Sequence, residues 1–110
     1  MGDDDAIQNA IDVVSAFFDV SIEDMASRRR SRSVHRARCF GIYLAYTTGA
    51  DEQDIGRRFG RDQNMVLAIC RAIRNEVSRD QEQARLLSDL LDACASASES
   101  RNWVNQPKAV

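Results

Sequence analysis

The sequence predicts an all-α domain of six helices built around a helix-turn-helix, and three observations carry that expectation. The 110 residues contain one proline, Pro107, and five glycines, so long helices are permitted and the many turns of an all-β fold are not. Hydrophobic residues make up 44% of the chain, enough for one core without metal or disulfide support. Apolar residues recur at spacings of three and four, the stripe of an amphipathic helix.

The elements follow in order. A first helix over residues 5–18 turns Ile7, Ala10, Ile11, Val14, Phe17 and Phe18 inward. Ser21, with Asp24 three positions on and Val20 before it as a staple, opens a short second helix. Residues 27–33 hold no apolar side chain to bury and form an exposed basic loop. A third helix over 34–48 places Val34, Ala37, Gly41, Leu44, Ala45 and Thr48 on its inner face, and Gly49 ends it. Asp51 caps a fourth helix reaching Phe59, Gly60 and Arg61 turn the chain, and Asp62 caps a fifth helix reaching Ser78. Its core face is Val66, Ile69, Cys70, Ile73 and Val77, and we expect the first four to be buried with Leu44 and Leu87. A sixth helix over 80–97 brings Ala84, Leu87, Leu90, Leu91 and Cys94 inward. Residues 1–97 thus read as a single helical domain and 98–110 as a loosely ordered tail whose Trp103 and Val104 can dock elsewhere.

Two helices joined by a tight glycine turn, 51–59 and 62–78, form a helix-turn-helix pattern. Charge distribution strengthens that reading. Net charge is −2, which alone argues against a nucleic-acid partner, but residues 1–26 carry seven acids and no base, whereas residues 27–74 carry eleven arginines against four acids. A basic middle between acidic flanks suits a phosphate backbone. Fourteen of the fifteen bases are arginine, which makes bidentate contacts to phosphate and guanine that lysine cannot; a genome rich in arginine codons produces the same bias.

Catalysis and metal binding find no support. Cys39, Cys70 and Cys94 are odd in number and widely spaced, with no CxxC pair, and His35 is the single histidine. Buried apolar thiols are the ordinary reading of Cys70 and Cys94. No Ser/His/Asp set and no paired carboxylates in an apolar setting stand out, so the chain does not read as an enzyme and no cofactor is expected. No apolar run is long enough to span a bilayer, and a start of Gly2, Asp3, Asp4 and Asp5 is the opposite of a basic signal peptide. A cytoplasmic, nucleoid-associated location with no membrane partner is expected.

Two separated motifs make the reading specific. Arg29-Arg30-Ser31-Arg32-Ser33-Val34, followed by Ala37-Arg38 and Tyr43-Leu44, is one; Ile55-Gly56-Arg57-Arg58-Phe59-Gly60-Arg61-Asp62, followed by Val66-Leu67-Ala68, Cys70-Arg71 and Ile73, is the other. In order and spacing they resemble the C-terminal DNA-binding domain of the bacterial replication initiator DnaA, over roughly residues 7–95. The resemblance implies a Trp-repressor-like helical fold that binds double-stranded DNA. It assigns Arg30 to an A·T-rich minor groove, Arg28, Arg29 and Arg32 to the backbone beside it, and Arg38 to a phosphate. Arg61, which flanks the turn with Arg57 and Arg58, lies near the start of the fifth helix by its geometry and is a candidate for the DNA backbone. The resemblance places Asp62, Gln63, Asn64 and Met65 at the major groove.

At those last positions the chain departs from its apparent family. Asp-His-Thr-Thr becomes Asp62-Gln63-Asn64-Met65, the preceding turn is one residue shorter, and Cys39 and Tyr46 stand where glutamine and lysine are usual. Each reader also has a plainer role: Asp62 as an N-cap, Gln63 and Asn64 as an exposed helix start, Met65 as packing against the fourth helix, and the arginine run as a solvated face. No GxxxxGK(S/T) phosphate loop occurs, so no nucleotide is expected, and the sequence reads as the domain used alone. The expected function is selective binding of double-stranded DNA in transcription or replication control. The alternative is a protein-interaction module that has lost base reading and modulates a replication or regulatory complex.

Overall fold

The computed structural model describes the backbone of residues 2–27 and 31–105, and the side chains of 5–27 and 31–97. Within them lie six helices and no strand: α1 (Gly2–Phe18), α2 (Ile22–Ala26), α3 (Arg32–Thr47), α4 (Glu52–Phe59), α5 (Gln63–Arg79) and α6 (Gln81–Asn105). The all-α class, the element order and the helix-turn-helix of α4 and α5 match the expectation. Backbone helix continues past Ala97 to Asn105, beyond the reach of the inward stripe. The expected docking of Trp103 and Val104, and residues 106–110 of the expected tail, lie outside what is described.

Side-chain caps set the starts of five helices, with Asp80 Oδ1 accepting from the Glu82 N–H at 3.0 Å before α6. Ser21, Ser31, Asp51 and Asp62 each take extended backbone angles and accept from an N–H two or three positions on. Ser31 starts α3 two residues earlier than the apolar stripe does. A serine inside an arginine-rich run carries no hydrophobic signal, yet its hydroxyl still satisfies the Val34 N–H at 3.3 Å.

Every other helix packs against α3. This helix is buried nearly all round from Ala37 to Ala45, so Cys39, Phe40, Ile42 and Tyr43 join the core besides the expected inner face, while Thr48 is exposed. A helix enclosed on all sides needs no polar face. Ile7, Ala10, Ile11 and Val14 line the inner side of α1 as expected, and Val66, Cys70, Ile73 and Leu44 are buried together; Ile69 and Leu87 pack half-buried at the margin of that core. In α6 the deep positions are Leu90 and Cys94, with Ala84, Leu87 and Leu91 half-buried.

Phe17 departs from its expected inward position. The chain leaves α1 through Asp19 in a left-handed conformation (φ 55°), and the Val20 N–H returns to the Ser15 carbonyl at 3.1 Å. That turn buries Val20 and leaves Phe17 50% exposed. Phe18 stacks on Phe40, with ring centroids 5.9 Å apart. One turn before Phe40 on α3, Arg36 lies 4.8 Å over the Phe40 ring, pairs with Glu76 of α5 at 3.0 Å and donates to Gln83 of α6. One guanidinium thus ties three helices together.

Candidate nucleic-acid interface

The α4–α5 turn sets the geometry of the site. Gly60 takes the left-handed conformation (φ 67°, ψ 37°), and the N–H groups of Gly60 and Arg61 both donate to the Gly56 carbonyl, the latter at 2.8 Å. This fold-back brings the Arg61 carbonyl over Gly56, where an added Cβ would stand 2.4 Å from its oxygen. Glycine at 56 is therefore what allows so short a turn. Asp62 then caps α5, its Oδ1 accepting from the Met65 N–H at 2.8 Å.

Val66 is fully buried, so the helical repeat leaves the preceding turn outside. Asp62, Gln63, Asn64 and Met65 are all exposed, Met65 by 47%. The capping role of Asp62 is thus present, and Met65 is not an interior packing residue. Gln63 is held from behind: Gln53 Nε2 donates to Gln63 Oε1 at 3.2 Å, and Gln63 Nε2 donates to Glu52 Oε2 at 3.3 Å.

Arg38 and Arg61 join the end of α2 to this turn. Arg38 is 4% exposed; its Nε donates to the Met25 carbonyl at 2.8 Å, and its Nη2 to the carbonyls of Asp24 and Ser27 at 3.3 and 3.1 Å. Arg61 Nη2 reaches the same Ser27 carbonyl at 3.3 Å, while its Nη1 donates to Phe59 and Gly60 carbonyls. Two cations at the C-terminal end of α2 satisfy carbonyls that the helix cannot. Burial, and then the neighbouring Arg61, holds the Arg38 pKa below its ordinary value. The resemblance assigns Arg38 to phosphate; here its guanidinium serves the backbone that leads into the loop.

Arg32 is exposed at the first position of α3, one turn before His35. Arg28, Arg29 and Arg30 lie outside the described residues. The described chain ends before them at Ser27, anchored as above, and resumes after them at the Ser31 cap. Between the start of α3 and the start of α5 runs a cleft of about 560 Å³ lined by His35, Arg38, Cys39, Gly60, Arg61 and Met65, among others. His35 is exposed, its Nε2 3.6 Å from Cys39 Sγ, and burial pushes the Cys39 thiol up despite the nearby Arg38 and Arg36. Of the other turn arginines, Arg57 pairs with Asp54, and Arg58 donates to Gln8 Oε1 of α1 at 2.8 Å. Among the described residues no three metal-ligating side chains come together, and no helix is long and apolar enough to cross a membrane.

Sequence reasoning missed Glu52, Gln53 and the Ser27 carbonyl. The contacts of Gln63 span ten and eleven residues and exist only once α4 and α5 are packed at their turn. The bidentate-capable Arg38 was legible, but its direction was not.

Fold and site define a class: an all-helical domain built on a helix-turn-helix, the motif whose second helix enters the DNA major groove. A family model described as the bacterial dnaA protein helix-turn-helix matches residues 7–73. The chain belongs to that family. Its relatives include chromosomal replication initiator proteins DnaA. That of Desulfotalea psychrophila is 37% identical over 71% of this chain and 17% of its own length. That of Crocosphaera subtropica is 34% identical over 84% of this chain and 21% of its own. That of Nostoc sp. is 36% identical over 81% and 20%. The chain thus spans about a fifth of the length of these relatives.

Proposed function

We propose that this domain binds double-stranded DNA sequence-selectively and acts as a regulator of transcription or replication in the bacterial cytoplasm. The observation that carries the reading is the exposed first turn of α5 coupled, through Arg61 and the Ser27 carbonyl, to the anchor of the arginine loop. In this reading α5 enters the major groove and presents Asp62, Gln63, Asn64 and Met65 to bases. Carboxamides pair best with adenine, through N7 and the N6 amino group, and Met65 suits a thymine methyl. Arg30 enters an adjacent A·T-rich minor groove, with Arg28, Arg29 and Arg32 on phosphates. Arg38 and Arg61 hold the two readers in register. No catalytic step and no bound nucleotide enters this role.

The test is selection of bound duplexes from a random pool by the purified protein. A bipartite site is expected, with an A·T-rich half and a second half different from that of a His-Thr-Thr reader. Replacing Gln63-Asn64-Met65 by His-Thr-Thr should then shift the second half alone. A pool with no enriched sequence overturns the proposal. Exposed Phe17 and Ile22, 50% and 42% accessible, favour the rival interaction module, which gains if selection fails.

A further inference from the structure

Gln63 does not stand alone at the start of α5. Its amide oxygen accepts from Gln53 Nε2 and its amide nitrogen donates to Glu52 Oε2, so two consecutive residues of α4 grip both ends of one carboxamide. A carboxylate can only accept, which fixes the nitrogen of Gln63 toward Glu52 and the oxygen toward Gln53. Each end keeps one free position, an N–H and an oxygen lone pair. A bidentate contact to adenine N7 and N6 uses one N–H and one oxygen lone pair of a carboxamide.

A long exposed side chain ordinarily loses rotamer freedom when it binds. Here the neighbours have already restricted it. Glu52 adds an acceptor beside the reader, and that acceptor disfavours guanine, whose major-groove edge carries only the acceptors N7 and O6. Gln53 is exposed and Glu52 half-buried, and both touch Gln63, a base reader in the proposed function.

We propose that Glu52 and Gln53 are specificity-determining residues that position the Gln63 carboxamide, so that α4 and α5 read one base pair as a unit. The inference rests on the DNA-binding reading above and names which residues give it selectivity.

The experiment measures affinity of the full chain for its selected site and for duplexes changed at one base pair at a time. Gln63→Ala first identifies the base pair whose discrimination depends on Gln63. Glu52→Ala and Gln53→Ala should each lower discrimination at that pair by about fivefold or more, a substantial part of what a bidentate contact supplies. Discrimination elsewhere should stay unchanged, and the salt slope should not become shallower, because neither residue is a cation. In the Gln63→Ala background the two substitutions should have no further effect at that pair. Glu52→Gln should blur rather than abolish the preference, since a second carboxamide accepts either amide orientation. Helix content by circular dichroism confirms that the variants are folded. If single variants leave discrimination at the Gln63 pair within twofold, or lower it evenly at all pairs, the positioning role is overturned. If the wild-type chain discriminates at no pair, the DNA-reading proposal itself fails, which is a different result.

Discussion

At the scale of single residues, Arg38 shows how a site side chain serves through other atoms. It is buried and donates to three carbonyls at the end of α2. Arg38→Met keeps the aliphatic stem but removes those charge-assisted bonds; the Asp24 carbonyl keeps Ser27 as a donor and the Ser27 carbonyl keeps Arg61, so stability to urea should fall by about 2–3 kcal/mol, the net value of one such bond. Duplex affinity should fall as the loop loses its anchor. A lost phosphate contact would lower the slope of log K against log salt by about one unit, whereas a positioning role leaves that slope unchanged. The cysteines make a second residue-level prediction. Burial pushes the Cys70 and Cys94 thiols up from 9.0 to about 11. The fold therefore favours their neutral form, and the stability this contributes is fully present below pH 9 and is lost as pH rises through about 11. Urea midpoints should decline across that window, and less steeply in a Cys70→Ala, Cys94→Ala double variant. An equal decline in both proteins would remove the thiols as the cause.

At the scale of elements, the α4–α5 turn is a shape that few side chains permit. At Gly56 a methyl group would meet a backbone oxygen, which cannot rotate away as a side chain would. Gly56→Ala should therefore cost about 2 kcal/mol in spite of alanine's better helix propensity, and should weaken duplex binding by displacing the start of α5. Gly60→Ala meets no close neighbour but imposes the left-handed penalty of about 1–2 kcal/mol. Thermal or urea unfolding measures both. A neutral Gly56→Ala would mean that the turn relaxes freely, and the tight packing of α4 against it would not be needed. The caps belong to the same scale: Ser31 and Asp62 start the two helices that flank the cleft, so short polar side chains decide where both proposed readers begin.

At the scale of the whole molecule, segregated charge matters more than net charge. The chain is acidic overall, yet eleven of its fifteen bases lie in residues 27–74, and acidic residues dominate both ends. Association with duplex DNA should accordingly be strongly salt-dependent. Contact with about five phosphates gives a log–log slope of about −4 to −5. A slope near zero in a binding curve would separate this protein from phosphate-dominated recognition and favour the protein-interaction reading. The single α3, touched by all five other helices, also implies that unfolding should be cooperative, with the midpoints of tyrosine absorbance, reporting buried Tyr43, and of circular dichroism coinciding.

The sequence by itself determined what local physics controls. Apolar periodicity, the three polar caps Ser21, Asp51 and Asp62, and two glycines set the helices, their order and the turn of the helix-turn-helix, because each depends on residues within one or two turns of chain. It also determined the chemistry displayed at the start of α5, since Val66 inward forces Gln63, Asn64 and Met65 outward. Only the tertiary structure decided direction and partnership. It turned Arg38 into the core against backbone carbonyls, swung Phe17 out at Asp19, enclosed α3 on every side, and laid Glu52 and Gln53 against Gln63. These outcomes depend on how helices pack across ten to fourteen residues or more, where an arginine has equal chemical reason to seek a phosphate or a carbonyl. Which one it meets is settled by where the neighbouring helix ends.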